Sequence, residues 1–429
     1  MRSLLLALAL ACFIPHAGAQ QPPLYEQSGD FIATGFRFGD GSSVPQVKLH
    51  YVTLGVPRCD GNGHFTNVVL LLHGTTDTGR AFLTATMRQE LFGPGQPLDA
   101  SRYFIIIPDG LGRGGSSKPS DGLRAKFPEY GYNDVVRAQY LLVTQGLGID
   151  HLRLVLGTSM GGMQTWLWGE RYPDMMDGLM PIASQPVALT GRNGFWRQMI
   201  IDAIRRDPDW NDGNYMRQPI QWLRAMPVFT LITKNPARMQ ALSPTPGAAR
   251  WSYDAAVYSG RQYDANDVMY WFESSWDYNP EAALGQIKAP LFALNFSDDL
   301  LNPTDLGIMQ RLVPRVPHGQ FVEMPESERS YGNETIAHPE VWKSYLAEFL
   351  QTLPPQAQCA QWARGRTMQV KANPPSFYFP AVRSTHDRSG PRQWNATQPL
   401  PCPPAASHLR LPPPRPRALS RGHRLHRLR

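Results

Sequence analysis

Residues 152–168 read LRLVLGTSMGGMQTWLW, and the order of residue types in this stretch decides the architecture. Leu152 to Leu156 is an apolar run of strand length, and Gly162, Met163, Trp166 and Leu167 open an amphipathic helix that runs toward Pro173. Between the two sits Gly157-Thr158-Ser159-Met160-Gly161. Flanking glycines let the backbone turn sharply from strand into helix, which lifts the serine hydroxyl above a sheet and points the first free N–H groups of the helix at a reacting oxygen. A Gly-x-Ser-x-Gly string alone recurs by chance, and a serine that merely shapes a tight turn is the competing reading. Its place between a strand and a helix marks Ser159 as the expected nucleophile.

Working outward, the chain alternates. Val68 to Leu72 (VVLLL) and Tyr103 to Ile107 (YFIII) are further continuous apolar runs, as expected of strands covered on both faces. A helix is predicted from near Asn133, with Val136, Tyr140, Val143 and Leu147 on one stripe. Strand, helix, strand in this order predicts a mostly parallel sheet flanked by helices, an α/β class. Later strands are expected at Leu291 to Asn295 and Gln320 to Met324, followed by a closing helix with Pro339 in its first turn and Val341, Trp342, Tyr345, Leu346, Phe349 and Leu350 on its apolar face. Residues 186–285 interrupt the alternation with helical stretches rich in Trp and Met, such as FWRQMIIDAIRRDPDW, and read as a helical lid inserted into a core of residues 20–185 and 286–352. Most of the lid tryptophans are expected to be packing residues.

Acyl transfer through a serine needs donors for an oxyanion and an acid behind a base. The loop His73-Gly74-Thr75-Thr76 follows VVLLL, so the Thr75 N–H, with Thr76 second, is the expected partner of the Met160 N–H, and His73 reads as structural. LFALNFSDDLLNP offers Asp298 and Asp299, and the D-x-x-x-P spacing to Pro303 selects Asp299. Neither Cys-x-x-Cys nor His-x-x-x-His spacing occurs, so no metal and no cofactor is expected.

With these residues in place the chain resembles the homoserine O-acetyltransferase-like group of the α/β-hydrolase fold. The resemblance is carried by Phe127 to Asp174, notably Val136-Arg137-Ala138-Gln139 and Ser159-Met160-Gly161-Gly162-Met163-Gln164, and continues into AIRRDPDWNDGNY from Ala203 to Tyr215, covering about residues 30–352. It implies a Ser-His-Asp site, an acyl-enzyme intermediate and a helical lid. Two positions depart from the family pattern. Ile201 stands where transferase members place an Arg that holds the amino-acid carboxylate. Asn333 of Gly332-Asn333-Glu334 stands where the family has its His. Asn does not take up and return a proton near neutral pH. His338, just before Pro339, is the expected substitute, with His318 second. The functional expectation is a serine hydrolase acting on a small ester or acyl substrate. Acyl transfer of the homoserine O-acetyltransferase type is the second reading, and a catalytically impaired binding protein, favoured by Asn333, is the third.

The chain ends bear on location and partners. MRSLLLALALACFIPHAGAQ has a single charge at Arg2, an apolar run and small residues before Gln20, the layout of an export signal cleaved near Ala19, which predicts a secreted or periplasmic protein. The apolar run is too short for a comfortable membrane span. The formal charge of +7 belongs to the end of the chain: residues 401–429 hold seven Arg and no acid, and residues 3–354 are left net negative. The Pro/Arg-rich tail from 353 to 429 is expected to be disordered, and its last residues lack aromatic interleaving, which argues against nucleic acid. Cys59, Cys359 and Cys402 would remain after cleavage, and a Cys59–Cys359 pair is one expectation alongside unpaired thiols. A homodimer is compatible with this reading.

Overall fold

The structure is a computed structural model that describes residues 25–355. The export signal, most of the tail, Cys359 and Cys402 lie outside the described residues. Eight strands form one sheet: β1 (Glu26–Arg37), β2 (Ser43–Leu54), β3 (Val68–Leu72), β4 (Phe104–Pro108), β5 (Leu154–Thr158), β6 (Leu179–Ile182), β7 (Leu291–Phe296) and β8 (Gly319–Met324). Their order across the sheet is β1-β2-β4-β3-β5-β6-β7-β8. β2 is antiparallel to both β1 and β4, and the remaining pairs are parallel. The expected strands are therefore present within one or two residues. The hairpin β1–β2 and the short β6 are additions that the apolar-run criterion misses. β1 and β2 alternate exposed and buried positions along an edge instead of running apolar. β6 has only four residues and contains Pro181.

β3, β4 and β5 are buried along their whole length because helices cover both faces. On one face lie α1 (Tyr132–Leu141) and α2 (Met160–Arg171), which contribute Val136, Trp166 and Trp168 to a core with Leu70, Ile106 and Val155. Asp277 fixes the start of α1: its carboxylate accepts from the N–H groups of Tyr132 (2.7 Å) and Asn133 (3.0 Å), which answers the free donors and positive end of the helix. On the other face, the closing helix Pro339–Thr352 packs Trp342, Leu346 and Phe349 against Leu154, Phe292 and Leu294.

Between β6 and β7 the chain is helical: α3 (Gly191–Arg205), α4 (Pro227–Thr233), α5 (Pro236–Leu242), α6 (Pro246–Ser259) and α7 (Ala265–Glu273), with the closing helix then numbered α8. Trp196, Trp222 and Phe272 are buried in a core shared with Phe36, Leu49 and Val135 of β1, β2 and α1, and Trp196 meets Phe272 edge-on at 5.0 Å. Trp251 and Trp276, 72% and 46% exposed, are exceptions to the packing expectation: Trp251 sits on α6, which buries none of its residues, and Trp276 in the turn after α7. α7 binds this segment to the sheet. Trp271 Nε1 donates to Gly112 O (2.7 Å), Tyr270 OH to Phe127 O (2.6 Å), and Asp267 accepts from Ser120 N (2.9 Å) and Oγ (2.7 Å). No helix among the described residues is long and apolar enough to cross a membrane.

Candidate active site

Ser159 stands between β5 and α2 with φ 54° and ψ −113°, a conformation that costs a residue bearing a Cβ about 1–3 kcal/mol. The two glycines around it are dictated by contact. A Cβ on Gly157 would come within 2.0 Å of Gly161 O, and one on Gly161 within 1.9 Å of Leu72 O. Only glycine allows β3, β5 and α2 to close this tightly around the serine. Thr75, at the end of β3, and Met160, the first residue of α2, are both buried. Their N–H groups donate to no protein acceptor among the described residues. This is the arrangement that an oxyanion requires.

His73, beneath that loop, has both ring nitrogens committed. Nδ1 lies 2.8 Å from Gly74 O, and Nε2 accepts from Gly110 N at 2.9 Å. Burial pushes its pKa down to about 4, so the ring is neutral and serves to hold the oxyanion loop against the end of β4.

The loop after β7 presents two carboxylates with separate roles. Asp298 Oδ2 accepts from Asn235 Nδ2 (2.8 Å) and from Gly332 N (2.6 Å), anchoring the backbone of the loop after β8. Asp299 is buried, with Oδ1 accepting from Leu301 N (2.9 Å) and Oδ2 from Asn302 Nδ2 (2.8 Å) and Asn333 Nδ2 (2.7 Å). Burial raises the Asp299 pKa to about 6 against the pull of these donors. Asn333 therefore makes the contact that a histidine base would make with its orienting acid.

The structure does not bring His338 to Asp299. Its ring stacks on Tyr331 at 3.8 Å, with Nδ1 3.2 Å from Glu340 Oε1. The reason is local: His338 terminates the short helical turn 334–337 and caps α8, and Arg238 lies over the same Tyr331 ring at 4.0 Å. His318 is exposed at the start of β8, at the end of the sheet opposite Ser159. Ile201 is buried in the apolar core of the helical segment and carries no charge for a carboxylate.

Two charged residues near the serine carry no mark in the sequence pattern. Asp77 belongs to the loop that carries Thr75. A Cβ placed on Gly74 would stand 3.2 Å from Asp77 Oδ2 and 3.8 Å from Ser159 Cβ, so the carboxylate and the serine both lie beside that glycine. Arg113, from the loop after β4, is buried under Trp271 with its guanidinium carbon 3.9 Å from the ring centroid. One of its nitrogens lies 3.8 Å from Met160 Sδ, and its Nη1 has no partner among the described residues. Burial lowers its pKa to about 10, which leaves it charged. The available signal was a lone Asp and a lone Arg in the Gly-rich loops HGTTDTG and DGLGRGG, with no spacing to join them.

A sheet of this order with a serine on a strained strand-to-helix turn defines the α/β-hydrolase fold. The family model described as alpha/beta hydrolase fold matches residues 67–329. Within that fold the chain belongs to the homoserine O-acetyltransferase family. It is 30% identical to the homoserine O-acetyltransferase of Chlorobaculum parvum over 309 residues, 64% of this chain and 82% of that one. With the enzyme of the same name from Pelobacter propionicus it is 29% identical over 353 residues, 72% of this chain and 87% of that one. Solved structures share the fold. The homoserine O-acetyltransferase from Bacillus anthracis aligns with a TM-score of 0.66 at 22% identity, covering 78% of this chain and 99% of that one. Esterase E22 aligns at 0.66 and 20% identity, covering 76% and 100%. The acetyl esterase MekB aligns at 0.66 and 23% identity, covering 76% and 97%.

Proposed function

We propose that this protein is an exported ester hydrolase that acts on small acyl esters through a covalent acyl-Ser159 intermediate. The observation that carries this reading is the strained Ser159 flanked by the unengaged N–H groups of Thr75 and Met160. Such strain is kept where surrounding structure over-determines it, as at a nucleophile that must stand clear of its sheet. In this reading the serine oxygen attacks the ester carbonyl, the two N–H groups hold the oxyanion, and the alcohol leaves before water releases the acid. Water is the acceptor rather than an amino acid, because Ile201 supplies no cation at the position where transferase members hold a carboxylate. The leader of residues 1–19 supports export, which amino-terminal sequencing of the mature protein tests by finding Gln20 first.

Treatment of the purified protein with a fluorophosphonate probe decides the central claim. An adduct on the peptide containing Ser159, abolished by Ser159→Ala, together with acetate release from a small acetyl ester in water, is the expected result. Absence of an adduct at Ser159 overturns it. A second reading, a binding protein that keeps the pocket without turnover, is favoured by one observation: the amide of Asn333 occupies the contact with Asp299. It predicts no adduct and no acetate release.

A further inference from the structure

None of the described histidines stands at Asp299. His50 pairs with Asp30, His64 with Asp150, His151 with Asp177 and His338 with Glu340; His73 is saturated within the oxyanion loop, and His318 lies at the far end of the sheet. Among the described residues, the acceptor for the serine proton is therefore to be sought outside the imidazoles. Glu334 is occupied by Lys234 and by the Thr233 hydroxyl. Asp299 is occupied by Leu301, Asn302 and Asn333. Asp77 differs from both. It is partly exposed, its side chain accepts no hydrogen bond among the described residues, and it lies with Ser159 beside Gly74.

We propose that Asp77 is the general base and acid of the Ser159 site, taking the place of the histidine that Asn333 has replaced. This rests on the acyl-Ser159 reading given above. The Ser159 O–H proton passes to Asp77 Oδ2, directly or through one water, as the serine oxygen forms its bond to the ester carbonyl carbon. The oxyanion rests on the N–H groups of Thr75 and Met160. When the carbon–oxygen bond to the alcohol breaks, the alkoxide oxygen takes the proton from the Asp77 carboxyl, which becomes a carboxylate again. Water then attacks the acyl-enzyme, giving its proton to Asp77, and Asp77 returns that proton to the departing Ser159 oxygen. The cycle consumes one ester and one water and yields one acid and one alcohol, with the enzyme restored.

The surroundings of Asp77 suit this role. Burial raises its pKa above the ordinary carboxylate value, Arg113 pulls it down, and Glu334, itself paired with Lys234, pushes it up. Tyr263 also faces Asp77 and Arg113, and Arg113 in turn interacts with Tyr130, Tyr132, Asp267 and His73. A carboxylate raised in this way is a better base than an exposed one. Asn333 acts differently, donating its amide to Asp299.

The test uses the full-length protein, a small acetyl ester and the fluorophosphonate. The expected pH profile of kcat/KM rises with a single ionisation that belongs to Asp77. Asp77→Asn, close in shape to the original, is expected to lower kcat/KM by about 100-fold or more and to remove that limb. Adding Asn333→His to Asp77→Asn is expected to restore activity with a limb in the imidazole range, which shows that the single variant is folded. Asp77→Asn with the wild-type rate and profile, while Ser159 still labels, overturns the role of Asp77 and leaves the acyl-Ser159 reading standing. A loss in Asp77→Asn accompanied by a lowered thermal midpoint and loss of Ser159 labelling marks Asp77 as structural and also overturns it. Failure of wild-type Ser159 to label overturns both.

Discussion

The Nδ2 of Asn333 donates to Oδ2 of Asp299 at 2.7 Å, so the amide performs one half of a histidine's work and cannot perform the other. It satisfies the buried carboxylate and is oriented by it. Its oxygen has no basicity near neutral pH with which to take a proton from Ser159. Placing an imidazole there supplies the missing half on an acid already in position. Asn333→His alone is expected to raise kcat/KM for a small ester by roughly 100-fold or more, with a new limb near the imidazole pKa. An unchanged rate would mean that the loop held by Asp298 does not present residue 333 to the serine.

Arg113 acts on the same chemistry through charge. Its guanidinium is a cation that favours the ionised form of Asp77, so its removal makes that carboxyl harder to ionise. Arg113→Met fills similar space and is expected to move the acidic limb of kcat/KM to higher pH. Titration of ester hydrolysis across the acidic range reads this directly, and a stationary limb would separate Arg113 from the proton-transfer site.

How far this site was legible in the sequence follows from the physics of each part. The turn at Ser159 announces itself because two close backbone approaches admit only glycine, leaving a fixed spacing around the serine. Asp299 could be selected over Asp298 by its distance from Pro303, yet nothing in the sequence says that Asp298 anchors the loop carrying Gly332. His338 was an attractive substitute by proximity along the chain. In the fold, the turn that ends at His338 directs its ring onto Tyr331. Asp77 and Arg113 come from separate loops, after β3 and after β4, and only the parallel pairing of those strands brings them together. The hairpin β1–β2 escaped for a different reason, since an edge alternates where a central strand is uniformly apolar.

Asp267 links the helical segment to the loop before α1, and its environment predicts a pH dependence of stability. Burial raises its pKa to about 6, against an unfolded value near 3.9, although Ser120 donates to it twice. At this group the folded protein therefore holds more protons between these values, and its contribution to stability is fullest below about pH 4 and is lost as pH rises toward about 6. Asp299, also raised to about 6, contributes with the same sign. Asp267→Asn can accept from Ser120 N and donate to Ser120 Oγ, so it removes the charge and keeps both contacts. It is expected to flatten part of this slope and to gain at most about 3 kcal/mol above pH 6. Urea unfolding at a series of pH values measures the effect; identical slopes in both proteins would contradict it.

Strain at Ser159 opposes stability and serves reactivity, and the two can be separated. At φ 54° the serine Cβ is held in a conformation that glycine adopts without penalty. Replacing Ser159 by Gly removes the hydroxyl and the strain together, offset in part by the extra freedom of glycine in the unfolded chain. The net expectation is a gain of about 1 kcal/mol with complete loss of fluorophosphonate labelling. Ser159→Ala isolates the hydroxyl, because its Cβ keeps the strain: labelling is lost and the thermal midpoint stays near that of the wild type. A midpoint for Ser159→Gly at or below that of Ser159→Ala would mean that the turn is relaxed as it stands, and that the hydroxyl is held there without energetic cost to the fold.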